Sequence, residues 1–240
     1  MDQFMPLTFH VTNLEDEEWT SFKAAFMKHT QDEDETRATN LWILKPASMS
    51  NRGFGIRVAN DLEEIEAIVS TEARKDARCG GWVCQKYIER PLLIDGRKFD
   101  IRAFCLLVTD RKGRIQAHAH RSCSYVRTSS TKYSLKPQDL AKKGVHLVND
   151  GVQNKEESYG KFEEGNKLSL TEFVTRVDAP ANWLEETLIP RMETIMKYTI
   201  DAAHARLNPK KRQACFELLG FDFMLDADLR VDLIEINSNP

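Results

Sequence analysis

Three charged residues alternate along one segment of the chain, and their spacing gives the first indication of chemistry. The segment starts at Gly96, reads Arg-Lys-Phe-Asp-Ile-Arg and continues as an apolar stretch to Val108. Because successive side chains of a strand point to opposite faces, Lys98, Asp100 and Arg102 lie on one face. Three charges on one face of a central strand indicate a pocket or a bound ligand. The alternative is a solvent-facing sheet surface on which the three charges pair.

Two acids and an amide interrupt apolar runs close to the end of the sequence. Asp222 interrupts the first run, and Glu235 and Asn237 interrupt the second. The residues Asp226-Ala-Asp-Leu229 between the runs predict a hairpin turn that brings them side by side. Carboxylate and amide oxygens suit Mg²⁺, whereas two buried acids without a cation would repel each other. The pattern therefore predicts a magnesium site, with a pair of acids at a solvated strand end as the alternative.

A lysine and a glycine-containing loop form a third candidate site. Lys45 ends a short apolar run, and Arg52-Gly53-Phe54-Gly55 follows before the next strand. Glycines let backbone amides approach phosphate oxygens, and the two cations add positive charge. The loop matches neither the Walker A nor the Rossmann pattern, and an ordinary turn is the alternative. Together the three features describe a nucleotide held between two sheets, with its phosphates near the loop and Mg²⁺ near the acids.

The elements that must position these residues are mixed strands and helices. Apolar runs predict strands near 41–44, 56–58, 82–88, 98–108, 217–225 and 230–236, and apolar periodicity predicts helices over 62–69 and roughly 184–207. Strands and helices do not alternate regularly, so the predicted fold class is α+β, or mixed α/β. The polar, acid-rich residues before 40 predict a peripheral helix followed by an acidic linker.

The net charge of −3 conceals a strongly basic central region. Residues 97–146 carry 12 basic and 3 acidic residues, whereas residues 1–38 carry 9 acids and 3 bases. A basic region of this size indicates an anionic partner, which could be phosphates, an acidic peptide or nucleic acid. Nucleic acid is the least favoured, because the whole chain is acidic and has no RNP, zinc-finger or helix-turn-helix signature.

Composition and cysteine usage exclude several classes of protein. The 240 residues include 11 glycines and 8 prolines, too few for a collagen-like or disordered chain. The apolar runs are too short to span a membrane, and the first residues lack the pattern of a secretory signal. The 5 cysteines include no C-x-x-C pair, which favours reduced thiols in a cytosolic protein over disulfides or a zinc site.

The motifs in combination resemble those of the tubulin tyrosine ligase family. They are Lys45 with the loop 52–56, Gln85-Lys-Tyr-Ile-Glu-Arg-Pro-Leu-Leu-Ile94, Gly96-Arg-Lys-Phe-Asp-Ile-Arg102, Gly220-Phe-Asp-Phe-Met224 and Ile234-Glu-Ile-Asn237. Further likeness comes from residues 127–133, 146–149 and 159–166, and the last of these is most similar to the tyrosine ligase itself. The resemblance implies an ATP-grasp fold from about residue 40 onward, without the N-terminal domain of the family.

The resemblance also implies a role for each matching residue. Lys98, Arg102 and Arg127 are expected to be catalytic, with Arg102 meeting the carboxylate of the incoming amino acid and Arg127 the γ-phosphate. Asp222, Glu235 and Asn237 are expected to hold Mg²⁺. The nucleotide is expected to contact Lys45, Arg52, Gly53, Gly55, Gln85, Lys86, Tyr87, Ile88, Lys98, Asp100, Val148 and Asn149.

The implied reaction is an ATP-dependent ligation. Mg·ATP phosphorylates a carboxylate of an acidic tubulin tail, and the amine of a free amino acid displaces the phosphate to form an amide. Tyrosine is the favoured amino acid. The alternatives are addition of glutamate or glycine by the same fold, a non-catalytic tubulin-binding relative, and a ligase for another acidic protein. The expected cofactors are ATP and Mg²⁺, and the expected partners are tubulin and a free amino acid, without nucleic acid or a membrane. The expected location is cytoplasmic and cytoskeletal.

The same resemblance divides the chain into three parts. Residues 1–39 form the peripheral helix and linker, and residues 40–95 form the central ATP-grasp subdomain with the glycine loop. Residues 96–240 form the C-terminal subdomain with the metal site. The sequence ends just past the expected metal strand, where the family continues into a helix, so we expect this subdomain to be truncated.

Overall fold

The computed structural model describes residues 4–31, 40–48, 53–75, 80–238 and 240, which belong to two compact units. The first unit comprises Met5–Glu89 and Ser134–Lys155, and the second comprises Met1–Phe4, Arg90–Tyr133 and Glu156–Pro240. Each unit is built on one antiparallel sheet, with four strands in the first and five in the second. The mixed α/β class predicted from the sequence is confirmed, and the two antiparallel sheets are consistent with an ATP-grasp-like fold.

The sheet of the first unit has the strand order β1-β4-β2-β3. Its elements are β1 (Thr8–Val11), α1 (Glu17–Gln31), β2 (Trp42–Pro46), β3 (Arg57–Ala59), α2 (Leu62–Lys75), β4 (Trp82–Lys86), α3 (Lys143–His146) and α4 (Asp150–Gln153). Residues 134–155, which the sequence groups with the C-terminal part, pack in this unit instead. Strand β1 is missed by sequence reasoning because its four residues alternate too briefly to show a period.

The core of the first unit lies between its sheet and helices α1 and α2. Trp42 and Leu44 of β2 are buried there, and the opposite face of β2 carries Lys45. Helix α1 contributes Trp19 and Phe22 to the same core, and the two rings stack with centroids 5.3 Å apart. The polar composition predicts a peripheral helix, and in the structure one face of this helix, which carries its aromatic residues at helical spacing, is buried in the core.

The sheet of the second unit has the strand order β7-β6-β5-β8-β9. Its elements are β5 (Arg97–Thr109), β6 (Ile115–Lys132), β7 (Lys167–Ser169), α5 (Leu170–Arg176), a π-helical turn (Leu184–Leu188), α6 (Ile189–Leu207), β8 (Phe216–Leu225) and β9 (Val231–Asn237). The long helix predicted over 184–207 is present with a π-helical first turn, and the hairpin predicted between β8 and β9 is present as well.

One face of the central strand β5 forms the core of the second unit. Phe99, Ile101 and Cys105 are buried together with Phe173 of α5 and Ile195 of α6. The rings of Phe99 and Phe173 lie 4.9 Å apart between their centroids. Because β5 alternates, Lys98, Asp100 and Arg102 point to the other face, as its sequence predicts.

A buried ion pair ties the segment before β7 to the sheet. Arg97 Nη1 and Nη2 donate to the Glu163 carboxylate at 2.9 and 2.5 Å, and Thr128 Oγ1 donates to it at 2.8 Å. The exposed Arg176 adds a hydrogen bond of 2.9 Å. Burial opposes ionisation of Glu163, but the hydrogen bonds and charges of its partners hold the pKa of this carboxyl below its usual range. The pair thus holds the segment around Glu163 against β5 and β6, and the sequence pattern does not predict this contact.

Replacing Glu163 with glutamine should lower the free energy of unfolding by about 3–5 kcal/mol near neutral pH, because Arg97 keeps a buried charge without its main partner. A carboxyl whose pKa is lowered by folding stabilises the protein above its unfolded-state pKa of about 4.3. That contribution disappears as the pH falls through the folded-state value. Urea denaturation of the wild type and of Glu163→Gln should therefore converge at acid pH.

The neighbouring Glu164 provides the matched control, since it is exposed and its replacement by glutamine makes the same chemical change. Glu164→Gln should alter the free energy of unfolding by no more than about 0.5 kcal/mol. Equal losses in the two variants, or a Glu163→Gln deficit that persists at acid pH, would contradict the proposed pairing.

Candidate functional site

Two arginines and two aspartates form a buried cluster on the face of the second sheet that points away from its core. Asp100 of β5 lies opposite Arg127 of β6, and Arg102 of β5 lies opposite Asp222 of β8. Arg127 Nε and Nη2 donate to Asp100 at 2.7 and 2.6 Å, and Nη2 also donates to Asp222 at 2.8 Å. Arg102 donates to Asp222 through Nε and, at 3.0 Å, through Nη2. Strand register thus brings residues of three strands into one network.

The shared face of Lys98, Asp100 and Arg102 is buried rather than solvent-facing. Their exposed fractions are 3%, 7% and 8%. Asp100 and Arg102 take their partners from the neighbouring strands β6 and β8, as the contacts above describe. Buried charges are stable only when they are paired and hydrogen-bonded, and this network meets that condition for four of them.

The two aspartates of the cluster differ in how strongly their surroundings favour the charge. Burial raises the pKa of Asp100 to about 6, against the attraction of Arg127 and with a further contribution from the charge of Asp222. Burial also opposes ionisation of Asp222, but hydrogen bonds and charges from Arg102 and Arg127 lower the pKa of Asp222 below its usual value. The difference follows from the number of guanidinium partners, which is one for Asp100 and two for Asp222.

Of the three residues predicted to hold Mg²⁺, Asp222 belongs to this cluster, and Glu235 and Asn237 lie beside it. Asp222 of β8 lies opposite Glu235 of β9, and Asn237 follows two residues later on the same face. Asn237 Nδ2 lies 3.4 Å from Asp222 Oδ2 and 3.3 Å from Glu235 Oε1. Asp222 is buried, whereas Glu235 is exposed. The hairpin therefore brings the predicted triad together.

The donor atoms around Asp222 allow a test of whether a cation fits. Its carboxylate accepts from Arg102 and Arg127, and the amide nitrogen of Asn237 takes the remaining, longest contact. A half-turn of the Asn237 amide would remove this nitrogen from between Asp222 and Glu235 and present the amide oxygen instead. Two carboxylates and one amide oxygen would then face the vacated position, and such hard oxygen donors suit Mg²⁺. Among the described residues no group of three or more His, Cys, Asp or Glu side chains is placed to hold a metal, so this mixed set stands as the candidate.

In the first unit, Lys45 of β2 and Gln85 of β4, two of the predicted nucleotide-binding residues, share the sheet face opposite the core. Lys45 Nζ donates to Gln85 Oε1 at 2.9 Å, and Gln85 Nε2 donates to Thr8 Oγ1 of β1 at 3.0 Å. Gln85 is buried. The lysine is therefore held in a defined direction by a chain of hydrogen bonds that crosses three strands.

The residues at the end of β4 form the predicted adenine hinge, which ends at Ile88. Lys86 Nζ donates to Leu41 O at 3.1 Å and to the Glu89 carboxylate, while the backbone N–H of Leu41 donates to Glu89 Oε1 at 2.6 Å. The hydroxyl of Tyr87 lies 2.9 Å from Nδ1 of His146. Because His146 Nε2 lies 3.1 Å from the carbonyl of Asp139, Nε2 carries the proton and Nδ1 accepts from Tyr87.

The predicted glycine loop lies against the segment that contains Val148 and Asn149. A Cβ atom on Gly53 would meet Val152 Cγ2 at 3.0 Å and Leu147 Cδ1 at 3.1 Å. Lys143 Nζ donates to the carbonyl of Gly53 at 3.1 Å. Gly53 and Gly55 both have positive φ, of 74° and 75°. Close packing and backbone conformation thus require glycine at both positions, and Arg52 lies outside the described residues.

Replacing Gly55 with alanine should destabilise the first unit, because the new Cβ would lie 2.6 Å from Pro46 Cγ in addition to straining a positive φ. Gly96 has the same φ of 75°, but a Cβ atom at this position would have no atom within 4 Å apart from those of its chain neighbours. Gly96→Ala should therefore cost about 1–2 kcal/mol from backbone strain alone, and Gly55→Ala should cost more. Chemical denaturation followed by tryptophan fluorescence measures both, and an equal loss would show that the contact with Pro46 does not matter.

The roles that sequence reasoning assigns to the site residues stay predictions, and it missed the contacts that hold these residues in place. Three sets of hydrogen bonds were not predicted, although their side chains lie in or beside the motifs. They are the bonds of Glu89 with Lys86 and with the backbone N–H of Leu41, the Tyr87–His146 hydrogen bond and the Arg97–Glu163 pair. Partner choice across strands depends on register, which local pattern does not specify. His118, His120 and Cys123 lie exposed on β6, consistent with alternating polar residues on a strand.

A family model for the tubulin-tyrosine ligase family matches residues 3–240. The chain belongs to the tubulin-tyrosine ligase family. The family expected from the sequence motifs is confirmed over nearly the whole chain, including the segment before residue 40 where no motif was recognised. In the described part of the chain, no helix has the length and apolar character needed to cross a bilayer.

Relatives within this family are named as glycylases. Tubulin monoglycylase TTLL3 of Mus musculus is 37% identical over 210 residues, covering 84% of this chain and 21% of the mouse protein. Protein polyglycylase TTLL10 of Macaca fascicularis is 31% identical over 262 residues, covering 100% of this chain and 38% of that protein. A Homo sapiens protein named inactive polyglycylase TTLL10 is also 31% identical and covers 100% of this chain and 35% of its own length. The chain thus spans between about a fifth and two fifths of these curated relatives.

Proposed function

We propose that this chain carries the catalytic core of an ATP-dependent ligase that joins a free amino acid to a carboxylate on an acidic protein tail, with tubulin as the acceptor. The observation that carries the proposal is the convergence of Asp222, Glu235 and Asn237 beside the Arg102–Arg127 cluster. The glycine loop and the Lys45–Gln85 pair of the first unit supply a second set of groups suited to a nucleotide. Membership of the family supports the same assignment. We propose a cytoskeletal location on the same grounds.

Glycine is the amino acid that the relatives favour. The motif at 159–166 predicts tyrosine, but the named relatives above are glycylases and not tyrosine ligases. In the structure, this motif region serves packing, because Glu163 pairs with Arg97 and Asn166 Nδ2 donates to Thr128 O at 2.8 Å. A motif with a structural role is weak support for a substrate, and we therefore propose glycine.

The proposed roles of the residues follow from their charges and positions. Mg²⁺ held by Asp222, Glu235 and Asn237 would neutralise phosphate charge. Arg127 presents a guanidinium that is fixed by two carboxylates, so it can meet a transferring phosphoryl group without reorganisation. Arg102 would meet the carboxylate of the amino acid through its Nη1–Nη2 edge, because Nε and Nη2 already donate to Asp222 and each terminal guanidinium nitrogen carries two hydrogens. The acceptor carboxylate attacks the γ-phosphorus with loss of ADP, and the amine then attacks the acyl carbon with loss of phosphate and a proton.

Glu235→Gln should lower ligation by about 100-fold or more, because the amide removes one of two negative charges from the proposed metal site. The fold should be unaffected, since Glu235 is exposed. Incorporation of radiolabelled glycine into tubulin measures ligation, and circular dichroism reports the fold.

The matched control is Glu186→Gln, an equal change at an exposed residue in the π-helical turn. The control should ligate at the wild-type rate. A Glu235→Gln variant that ligates at the rate of the control would overturn the metal assignment.

The amino acid is tested by supplying labelled glycine, tyrosine and glutamate separately with ATP, Mg²⁺ and tubulin. We expect incorporation of glycine alone, with mass spectrometry of the tubulin tails giving a mass increase of one glycine per modified glutamate. Incorporation of tyrosine or glutamate in place of glycine would overturn the proposed substrate while leaving the ligase assignment intact.

A non-catalytic role is the second candidate, and the name of the human relative favours it. That relative is called inactive and matches the whole length of this chain. Absence of incorporation with every amino acid, combined with normal binding to tubulin, would favour this candidate.

A further inference from the structure

An exposed apolar strip occupies the same sheet face as the charged cluster, farther along the strands. Phe216 and Leu218 of β8 are 76% and 42% exposed. They lie opposite Val108 and Leu106 of β5, which are half-buried. Side chains of this size are seldom left in water as a contiguous group unless something binds them. The proposed reaction uses none of these four residues.

Two basic loops adjoin the strip at the end of the sheet. The turn between β5 and β6 spans residues 110–114, and the loop between α6 and β8 spans residues 208–215. Their exposed basic residues are Arg111, Lys112, Arg114, Lys210, Lys211 and Arg212. The two loops contain one acid, Asp110, which pairs with Arg114. For the other five bases, the described residues provide no carboxylate within 4.0 Å.

The two loops are fixed to each other, so their charges are held in place. Asn208 Nδ2 donates to the carbonyl of Gly113 at 3.3 Å and to that of Arg212 at 2.9 Å. A Cβ atom on Gly113 would lie only 2.7 Å from the carbonyl oxygen of Lys211. The backbone of Thr109 also donates to the carbonyl of Cys215 at 2.9 Å. A preorganised set of charges loses less conformational entropy when it binds a ligand than a set of charges on flexible loops.

We propose that this sheet-end surface, made of Leu106, Val108, Phe216, Leu218 and the six basic residues of the two loops, docks an acidic polypeptide segment that also carries apolar side chains. Charge complementarity requires an acidic partner, since the loops are basic while the chain as a whole carries a net charge of −3. The adjoining apolar strip favours a polypeptide over a nucleic acid, because three of its four residues (Leu106, Val108 and Leu218) are aliphatic, whereas single-stranded nucleic acid binds by stacking its bases on aromatic side chains.

The dimensions of the surface suit an extended segment. Arg102 and Val108 are six positions apart on β5, and six residues of a strand extend over roughly 20 Å. In the proposed ligase, a segment of about this length would reach from the charged cluster to the basic loops. The inference deepens the proposed function, but the binding needs neither ATP nor ligation. A protein that ligates but does not bind the peptide would contradict this inference alone, and a protein that binds the peptide but does not ligate would contradict the proposed function alone.

The test is binding of a fluorescein-labelled peptide with phenylalanine and leucine at one end and a run of glutamates at the other, followed by anisotropy without nucleotide. The double variant Lys112→Glu with Lys210→Glu should weaken binding by about tenfold. Phe216→Ser should weaken it by about fivefold. Binding of the wild type should also weaken as salt is added.

A second double variant controls for net charge. Lys28→Glu with Lys155→Glu makes the same charge change at exposed residues of the first unit, and it should bind the peptide within about twofold of the wild type. Equal weakening in both double variants would overturn the proposal. Two further results would overturn the proposal. One is an unchanged affinity when serines replace the apolar residues of the peptide, and the other is tighter binding of a labelled RNA oligonucleotide than of the peptide.

Discussion

The contact on which the second unit depends is the bridge that Arg127 makes between Asp100 and Asp222. One guanidinium donates to both carboxylates, and Arg102 supplies the second partner of Asp222. Without these arginines, two buried carboxylates would lie close together and one of them would take up a proton. The strands β5, β6 and β8 must therefore keep a register that brings all four groups together. The register of the sheet therefore decides which charges pair, and the pairing of the charges stabilises that register.

This constraint explains the arrangement of the candidate metal site. Asp222 is fixed from one side by guanidinium groups, so its carboxylate presents a defined edge to Glu235 and Asn237 of the neighbouring strand. The alternation of β5 sends Phe99, Ile101 and Cys105 into the core with α5 and α6, and it sends Lys98, Asp100 and Arg102 to the other face. The same face continues into the apolar strip and the basic loops, where we propose that an acidic segment docks.

Local pattern in the sequence was enough to predict much of this arrangement. Alternation in β5 placed Lys98, Asp100 and Arg102 on one face, and the turn at 226–229 placed Asp222 beside Glu235. The burial of one face of α1 was not predicted, because most residues of the helix are polar, although Trp19, Phe22 and Phe26 recur at helical spacing. Local pattern also failed to pair Arg97 with Glu163, since the two are 66 positions apart and meet only through tertiary structure. Of the basic residues in 97–146, Arg97, Lys98, Arg102 and Arg127 are buried, so the region presents less surface charge than its composition indicates.

The central claim is that Asp222, Glu235 and Asn237 hold a divalent cation after the amide of Asn237 turns. Electron paramagnetic resonance of Mn²⁺, a paramagnetic substitute for Mg²⁺, measures this directly in the presence of a non-hydrolysable ATP analogue. The wild-type protein should reduce the signal of free Mn²⁺ in proportion to the protein added, whereas Asn237→Leu, which has a similar shape but no amide oxygen, should reduce it much less. Equal reduction by the two proteins, or none by the wild type, would contradict the account.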